Sequence, residues 1–444
     1  MNARAKYRPS PTTDTADIID LSHEGRGIAH IDGKATFIDD ALPGERVEWR
    51  RMKRSRNFDE GRLERVLDAS PDRVEPQCVH FGVCGGCVLQ HLSADKQLAF
   101  KEQQLFDSLE RIGRVTPAER LPALRADTWH YRRRARLAAR WVPKKERAVV
   151  GFRERSTSFI TDLTTCEVIT EAVAKLITPL SALVTAMSIR DRVPQIEVAH
   201  ADNAIALVVR VLKPLTEDDR TLLGDFARTH NVQLYLQPGG YDTVELFAGE
   251  PTELTYQLAQ FGVTIRFEPT DFVQINGRLN ELMVARAIEL LRPEAQENVL
   301  DLYCGLGNFS LPLARHARSV VGVEGEGGLV ERARQNAARN GIANAEFFAA
   351  NLTAEDLRVS HWAQRKYDKV LLDPPRAGAR EVLPVIDACG ARRVAYVSCH
   401  PGTLARDAGL LVHEHGFNLI AAGVMDMFPH TAHVESIAVF ERKS

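Results

Sequence analysis

The spacing of apolar residues divides the 444-residue chain into three parts. From Asp17 to about Ser70, short apolar runs alternate with polar residues, and Gly25, Gly33 and Pro43 separate them. Runs of this length between turn residues indicate short strands. Several such strands within about fifty residues predict a small barrel, for which the oligonucleotide-binding (OB) barrel is the natural candidate. A small barrel without a ligand is the alternative.

The middle part mixes helical and strand patterns. Pro71 and Pro76 mark its start, and apolar positions at helical spacing predict a helix over 94–112. This helix is a candidate to pack on the C-terminal domain. Strands are predicted at Arg134–Trp141, Ile196–Ala199 and Ile205–Leu212. The pattern indicates a mixed α+β domain.

From about Phe267 onward, short β-rich runs alternate regularly with helical stretches. The predicted strands are Asn298–Tyr303, Ser319–Glu324, Ala345–Phe348, Lys369–Asp373 and Val394–Ser398. This alternation predicts an α/β, Rossmann-like domain with a parallel sheet and crossover helices. Phe417–Met425 and Val434–Glu441 follow without a long helix between them, which predicts an antiparallel addition at one edge of the sheet. The expected boundaries are a disordered basic tail at 1–15, the barrel at 16–70, the central domain at 71–265 and the α/β domain at 266–444.

Charge is distributed unevenly in a chain whose net charge is only −2. Between Arg46 and Arg56 there are six Lys/Arg against one acid, and between Arg125 and Arg155 there are eleven against three. A run of this kind is often a solvated surface. Two of them in a near-neutral chain nevertheless suit a surface that follows phosphates. We therefore predict that Arg132, Arg133, Arg134 and the Arg50–Arg56 stretch bind RNA phosphates.

Composition points to a cytoplasmic globular protein without a membrane segment. No apolar run approaches the length needed to cross a bilayer, and the polar, basic N-terminus lacks the apolar stretch of a secretory signal. The seven cysteines are then expected to be reduced rather than paired in disulfides. Nothing in the sequence indicates an obligate protein partner or more than a monomer.

The sequence VLDLYCGLGNF, residues 299–309, predicts a cofactor site. A buried strand ends near Asp301, and the glycine-rich turn that follows lets a ligand approach the backbone. Ser310 occupies the place of the third glycine of a dinucleotide motif, and Glu324 ends the next strand, where it suits ribose hydroxyls. Asn351 follows the third strand, where an adenine contact is expected. These features favour S-adenosylmethionine over a nicotinamide cofactor.

Two further residues suggest chemistry at a pyrimidine. Asp373-Pro374-Pro375 follows the fourth strand, but Arg376 stands where amino-methylating enzymes carry an aromatic ring. Cys399 leaves the next strand, although a lone cysteine is often only a small buried hydrophobe. With Glu435 it forms a nucleophile and a base, which methylation of pyrimidine carbon 5 requires.

A second group of cysteines has the composition of a metal or cluster site. Cys78, Cys84 and Cys87 lie within ten residues, and Cys166 follows about eighty residues later. Four thiolates suit tetrahedral zinc or an iron–sulfur cluster. Because zinc sites more often use two C-x2-C pairs and only one is present, the spacing slightly favours the cluster.

Five ordered motifs give a specific resemblance. CVHFGVCGGC, DLYCGLGNF, LLDPPRAG, VSCHPGTLARD and MDMFPHTAHVE together resemble the RNA uracil-5-methyltransferases over nearly the whole chain. With its N-terminal barrel, the chain is most similar to the branch that carries a TRAM domain and acts on 23S ribosomal RNA. The resemblance implies a 4Fe-4S cluster on Cys78, Cys84, Cys87 and Cys166 in the central domain.

The resemblance also implies a set of site residues. The catalytic pair would be Cys399 as nucleophile and Glu435 as base. S-adenosyl-L-methionine would be contacted by Gln274, Tyr303, Asn308, Glu324, Asn351 and Asp373. Two residues depart from the family pattern: His400 replaces the usual asparagine after the nucleophile, and Val79 replaces a common proline in the cysteine loop. The first leaves a local contact to the substrate open.

Other functions are weighed against this one. Within the same chemistry, the alternative is a transfer RNA uracil-5-methyltransferase, whose branch generally lacks both the barrel and the cysteine cluster. A different class is an RNA-binding assembly factor with an inert methyltransferase fold, against which intact Asp373, Cys399 and Glu435 argue. A nicotinamide dehydrogenase is the remaining alternative. The sequence does not indicate which uridine is methylated.

Overall fold

The computed structural model describes residues 10–354 and 357–443, which form two compact units. The first comprises Met1–Gln104, Arg153–Ser158 and Phe428–His433, and the second comprises Leu105–Phe152, Phe159–Met427 and Val434–Ser444. Most of the predicted basic tail, residues 1–9, lies outside the described residues. Within the described ranges, no helix has both the length and the apolarity to cross a bilayer.

The first unit contains a six-stranded sheet in the order β1-β5-β6-β4-β3-β2. Only β4 and β6 pair in parallel. Its strands are β1 (Asp14–Asp17), β2 (Asp20–Leu21), β3 (Gly27–Ile31), β4 (Lys34–Asp39), β5 (Arg46–Arg54) and β6 (Phe58–Asp68).

Side chains from several of these strands meet in one core. Ala16, Ala29, Ile38 and Trp49 belong to a single buried cluster, so the sheet curls around it as an OB-like barrel does. Trp49 is fully buried, and a Cβ on Gly61 of the neighbouring strand would lie only 2.3 Å from its ring. Glycine at position 61 is therefore what lets the indole ring lie against the sheet.

A helix predicted at 94–112 is present as α1 (Ala94–Ser108), which continues into a π-helical turn at Leu109–Gly113. The two-residue strand β7 (Glu119–Arg120) follows. The prediction of a helix here is confirmed, because the apolar side chains of this segment recur at helical spacing. Leu98, Leu105 and Leu109 are all buried.

The second unit contains a mixed six-stranded sheet in the order β13-β12-β11-β10-β8-β9. Its strands are β8 (Arg134–Val142), β9 (Arg147–Gly151), β10 (Gln195–His200), β11 (Ile205–Arg210), β12 (Gln233–Gln237) and β13 (Glu245–Ala248). The helices of this region are α2 (Glu171–Ala174), α3 (Ile177–Ala186) and α4 (Glu217–His230). The three strands predicted here are confirmed.

A two-stranded hairpin follows, formed by β14 (Leu254–Leu258) and β15 (Val263–Phe267).

The remaining elements alternate as the sequence predicts. They are α5 (Gly277–Leu291), β16 (Asn298–Leu302), α6 (Ser310–Ala314), β17 (Ser319–Glu324), α7 (Gly327–Arg339), β18 (Ala345–Ala349), β19 (Lys369–Leu372), α8 (Leu383–Cys389), β20 (Arg393–Ser398), α9 (Pro401–His413), β21 (Phe417–Met425) and β22 (Glu435–Arg442).

These strands form an eight-stranded sheet in the order β18-β17-β16-β19-β20-β22-β21-β7. The five strands from β18 to β20 are parallel, which confirms the Rossmann-like prediction. The last strand, β22, inserts between β20 and β21 and is antiparallel to both. The antiparallel addition is therefore one inserted strand. The carboxyl ends of β16, β17, β19 and β20 meet at one edge of the sheet, where such folds bind ligands.

Candidate active site

The glycine loop after β16 presents bare backbone at this edge. Tyr303, Gly305 and Gly307 all have positive φ values, of 64°, 53° and 89°. The amides of Tyr303 and Cys304 donate to the Val323 carbonyl, which ties the loop to β17. A Cβ at Gly305 would meet no atom within 4 Å, so the loop faces open space. A ligand can approach the backbone here without meeting a side chain.

Glu324, the last residue of β17, is fixed beside this loop. Its Oε2 accepts a hydrogen bond from the Gly305 amide at 3.1 Å, and its Oε1 accepts one from the Gly325 amide at 2.6 Å. The carboxylate predicted to bind ribose hydroxyls therefore lies next to the glycine loop in a defined orientation.

Two buried polar atoms of the loop region have no partner among the described residues. One is Asp301 Oδ1, whose companion Oδ2 accepts from Ser310, and the other is the Tyr303 hydroxyl. Burial, with the charges of Asp373 and Glu324, raises the pKa of Asp301 to about 8. Buried polar groups without partners are rare and costly. These atoms fit a site that is completed by a polar ligand.

The side chain of Asn308 is occupied by protein partners. Its Oδ1 accepts from the Tyr256 hydroxyl at 3.0 Å and from Asn280 Nδ2 at 2.9 Å, and its Nδ2 donates to Asn280 Oδ1. These bonds join the glycine loop to β14 and α5. A direct contact from Asn308 to a cofactor is therefore limited to the second amide hydrogen. Sequence reasoning missed Tyr256 and Asn280, because no local pattern identifies them.

Gln274 and Asp373 lie together across the same cleft. Gln274 Nε2 donates to Asp373 Oδ2 at 3.4 Å. Burial, and then the charge of Glu324, raises the pKa of Asp373 to about 7. Asn351 follows β18, where its exposed side chain accepts from the Thr353 amide and hydroxyl. Five of the six predicted cofactor residues, all except Tyr303, thus have their side chains oriented by bonds to other residues of the protein.

Cys399 and Glu435 are cross-strand neighbours. Antiparallel pairing of β20 with β22 ends at Ser398 opposite Ser436, so Cys399 directly follows this pair on one side and Glu435 directly precedes it on the other. The charge of Glu435 raises the pKa of the Cys399 thiol, so the two side chains are close in space. Cys399 is half-buried and Glu435 is buried. Two residues 36 positions apart in sequence are therefore adjacent at the sheet edge.

The electrostatics of this pair favour protonated groups. Burial, helped by the charges of Glu435 and Asp373 and opposed by Arg376, raises the pKa of Cys399 to about 11. Burial, followed by the charge of Asp373, holds the pKa of Glu435 well above its usual range. Three acidic groups therefore compete for protons within one small volume, with Arg376 as the nearby cation.

His400 has a structural role at the start of α9. It is the N-cap residue, and its Nδ1 accepts a hydrogen bond from the Thr403 amide at 3.2 Å. Asparagine, the usual family residue at this position, is among the best N-caps. The histidine thus preserves the cap that orients the helix directly after Cys399.

Side chains of α9 hold the loop that carries Arg376. Thr403 Oγ1 donates to the Arg376 carbonyl at 3.2 Å, and Arg406 donates to the Ala377 carbonyl at 2.9 Å. Fully buried Asp407 accepts from the Ala379 amide and from the Tyr396 hydroxyl, both at 2.8 Å. This clamp was not predicted. The sequence offered one sign of it: Asp407 is an acidic residue among the apolar helix positions Leu404, Ala405 and Ala408.

The four predicted cluster ligands are described separately for the two units. In the first unit, Cys87 is buried while Cys78 and Cys84 are half-buried, and the Gly86 amide donates to Cys84 Sγ at 3.4 Å. In the second unit, Cys166 is buried. In the part of the chain that the structure describes, no three His, Cys, Asp or Glu side chains are grouped as ligands of a single metal ion.

In the two basic runs, 46–56 and 125–155, some cationic side chains are bound to other residues of the protein and others are exposed. The predicted phosphate role of Arg134 is wrong, because its side chain is only 16% exposed and donates to the Pro269 carbonyl. Arg133 pairs with Asp202. In the first unit Arg50, Arg51 and Lys53 pair with Glu64, Asp59 and Glu60. Arg54 and Arg56 are exposed, and they are the residues of that stretch best placed to meet phosphates.

Comparison with known proteins identifies two family models in the chain. The tRNA (uracil-5-)-methyltransferase model matches residues 93–443, and the TRAM domain model matches residues 12–50. The Pyrococcus abyssi tRNA (uracil-54, C5)-methyltransferase in complex with S-adenosyl-L-homocysteine has a similar fold, with a TM-score of 0.74 and 24% identity. That alignment covers 96% of this chain and 99% of the other.

Relatives of nearly equal length support the same assignment. The 23S rRNA (uracil(1939)-C(5))-methyltransferase RlmD of Stenotrophomonas maltophilia (strain K279a) is 51% identical over 99% of this chain and 100% of its own. The protein of that name from Xylella fastidiosa (strain 9a5c) is 53% identical over 97% and 98%. The predicted family and the predicted TRAM domain are thereby confirmed. The chain belongs to the RNA uracil-5-methyltransferase family and carries a TRAM domain near its N-terminus.

Proposed function

We propose that this protein methylates carbon 5 of one uridine in 23S ribosomal RNA, and that it does so as a cytoplasmic monomer. The observation that carries the proposal is that Cys399 and Glu435 flank the Ser398–Ser436 pair of β20 and β22 and interact, at the sheet edge where the glycine loop lies. Relatives about half identical over their full length, which are named for this reaction on 23S rRNA, support the choice of substrate.

The methyl donor in this proposal is S-adenosyl-L-methionine, which supplies an electrophilic methyl group on sulfur. The open glycine loop, the unpartnered Asp301 Oδ1 and Tyr303 hydroxyl, and the fixed Glu324 carboxylate fit a cofactor with a ribose and an amino acid end. The residues that would hold it are Gln274, Tyr303, Asn308, Glu324, Asn351 and Asp373.

Carbon 5 of uracil needs activation before it can accept a methyl group. The Cys399 thiolate adds to carbon 6, and the electron pair of the broken carbon 5–carbon 6 double bond moves onto the ring carbonyl as an enolate. Carbon 5 of this enolate would then form the new bond to the methyl carbon as the methyl–sulfur bond of the donor breaks, with S-adenosyl-L-homocysteine as the leaving group. Glu435 removes the remaining proton from carbon 5, the double bond re-forms, and the carbon 6–sulfur bond breaks to release Cys399.

The raised pKa values define the proton state in which this can occur. Below its raised pKa, Glu435 carries a proton and cannot act as a base. Once ionised, a carboxylate with a high pKa is a strong base for the carbon 5 proton. Turnover is therefore expected to decline on acidification at a higher pH than an ordinary carboxyl group would give.

The reactivity of the Cys399 thiol tests this electrostatic account. On the alkaline side of the raised pKa of Glu435, where this carboxyl group is charged, Glu435→Gln removes a neighbouring negative charge. The pKa of Cys399 should then fall from about 11, and alkylation by iodoacetamide should accelerate. Each unit of decrease should raise the rate about threefold, because a larger thiolate fraction outweighs the lower nucleophilicity. The measurement is the modification rate of the Cys399 peptide by mass spectrometry.

The matched control for this measurement is Glu441→Gln, at the far end of the same strand β22. It should leave the alkylation rate of Cys399 unchanged. An equal rate in the wild type and in Glu435→Gln would contradict the coupling between the two side chains.

Methyl transfer from labelled S-adenosylmethionine tests the proposed function itself. Unmodified 23S rRNA and transfer RNA are supplied separately, and the products are digested to nucleosides. We expect labelled 5-methyluridine from 23S rRNA alone. Label in transfer RNA alone would assign the substrate of the transfer RNA branch, and no label in either would overturn the proposal of an active enzyme in favour of an inert RNA-binding factor.

We also propose that Cys78, Cys84, Cys87 and Cys166 bind a 4Fe-4S cluster. Three thiols close together in sequence, with a backbone amide donating to Cys84 Sγ, have the chemistry of a cluster-binding loop. Anaerobically purified protein should contain about four irons and four acid-labile sulfides per chain. Cys84→Ser should lower both, and Cys389→Ser, at a buried position of α8, should not. Stoichiometric zinc without iron would contradict the cluster.

A further inference from the structure

The mixed sheet of the second unit has one polar face. Strand register pairs Arg136 with Glu197, Gln195 with Arg210, and Arg210 with Gln237. Residues paired across neighbouring strands point to the same side of a sheet, so these five side chains share one face. The alternate positions Leu137, Ile196, Val209 and Leu236 are apolar and face the other way. Helices α3 and α4 pack against the same sheet and bury apolar side chains, which matches its apolar face.

A pocket of about 330 Å³ opens on the polar face, within the size range of ligand sites. Its lining residues are Arg136, Gln195, Glu197, Arg210, Gln237, Gly239, Gly240 and Tyr241. None of them belongs to the catalytic pair, the cofactor residues or the cysteine loop. The pocket is therefore distinct from the site described above.

Tyr241 supplies an aromatic ring at the edge of this pocket. The residue is 56% exposed, yet its hydroxyl is hydrogen-bonded to both members of the Arg136–Glu197 ion pair. It accepts a hydrogen bond from Arg136 at 2.7 Å and lies 3.3 Å from Glu197 Oε1, to which it donates. An exposed ring fixed through its hydroxyl is a rigid surface on which a planar group can stack.

The floor of the pocket contains a polar group without a partner. Gln237 is 4% exposed, and its Oε1 receives no hydrogen bond from any described residue. Glu197, by contrast, already accepts from Gln195 at 2.8 Å and pairs with Arg136 at 3.1 Å. The two arginines and one carboxylate leave the pocket with one net positive charge. The site thus combines an aromatic platform, an amide acceptor and guanidinium groups.

We propose that this pocket binds one nucleotide of a single-stranded segment of the RNA substrate. The base stacks on Tyr241, an N–H of its edge meets the Gln237 carboxamide, and the phosphate pairs with Arg136 and Arg210. The choice of RNA as ligand rests on the proposed function, which makes RNA the substrate. The pocket would give the enzyme a second point of attachment on the mixed sheet, apart from the uridine that is methylated.

Substitution of Tyr241 tests the stacking. Tyr241→Ala should weaken binding of 23S rRNA fragments about tenfold and raise KM by a similar factor, while kcat is unchanged. Tyr241→Phe keeps the ring and should bind within about threefold of the wild type. The matched control is Arg228→Ala, an exposed residue of α4 on a helix that packs against this sheet, which should leave binding unchanged. Circular dichroism and thermal melting verify that each variant is folded.

Photo-crosslinking locates the contact directly. RNA substituted with 4-thiouridine is irradiated with the full-length protein, and crosslinked peptides are mapped by mass spectrometry. We expect a crosslink in the segment from Gly239 to Tyr241 that is lost in Tyr241→Ala. Wild-type methylation with unchanged KM in Tyr241→Ala and no crosslink there would overturn this proposal while leaving the proposed function intact. RNA binding that depends on Tyr241, without methylation of 23S rRNA, would support the pocket and overturn the proposed function.

Discussion

Cys399→Ala should reduce methyl transfer by roughly 10⁴-fold or more, because without the thiolate carbon 5 of uracil is too weak a nucleophile to accept the methyl group. The measurement is transfer of labelled methyl to 23S rRNA, together with separate binding assays for RNA and S-adenosylmethionine. Both binding constants should remain near those of the wild type.

Loss of activity in this variant has to be separated from loss of fold. Cys399 is half-buried at the end of β20, so removing its sulfur leaves no large internal cavity. Cys389→Ala, on the buried side of helix α8, is the stringent control, since it removes a fully enclosed sulfur. It should cost more stability than Cys399→Ala and yet retain turnover. Turnover by Cys399→Ala above about a hundredth of the wild-type rate would refute the assignment of Cys399 as the nucleophile.

Two strands of the eight-stranded sheet were predicted with the bounds that the structure gives them. Strands β17 and β21 begin and end at the residues that the sequence predicts, because continuous apolar runs between turn residues have few alternative structures. The insertion of β22 between β20 and β21 was not predictable in the same way. It depends on pairing between strands that are distant in sequence, which a local pattern does not encode.

The sequence suggests residues for the proposed chemistry, but it does not show how they are held. Cys399 and Glu435 could be proposed as a pair from the reaction that they suit, and the register of β20 and β22 then explains how they meet. Asn308 shows the limit of motif reasoning, because its amide is taken up by Tyr256 and Asn280 from other elements. Arg134 shows the same limit for charge, since a basic run does not reveal which cation turns inward.

Glu435→Gln should separate methylation from product release and trap the RNA on the enzyme. Thiolate addition and methyl transfer do not require Glu435 as a base, whereas removal of the carbon 5 proton does. Glutamine has nearly the shape of glutamate but cannot accept that proton. Turnover should therefore fall by roughly 10²- to 10⁴-fold, the usual contribution of a general base. A methylated covalent complex should accumulate and be visible as a slower band on a denaturing gel.

The composition of the trapped complex decides between the roles that Glu435 could have. Mass spectrometry should locate the RNA on Cys399 and find one added methyl group, and the double variant with Cys399→Ala should give no adduct. An unmethylated adduct would mean that Glu435 is needed for methyl transfer itself. No adduct at all would mean that it is needed earlier, for example to set the proton state of the Cys399 thiol, whose pKa its charge raises. A variant that turns over at the wild-type rate would show that another group removes the proton. Asp373, whose charge raises the pKa of both residues, would then be the next candidate base.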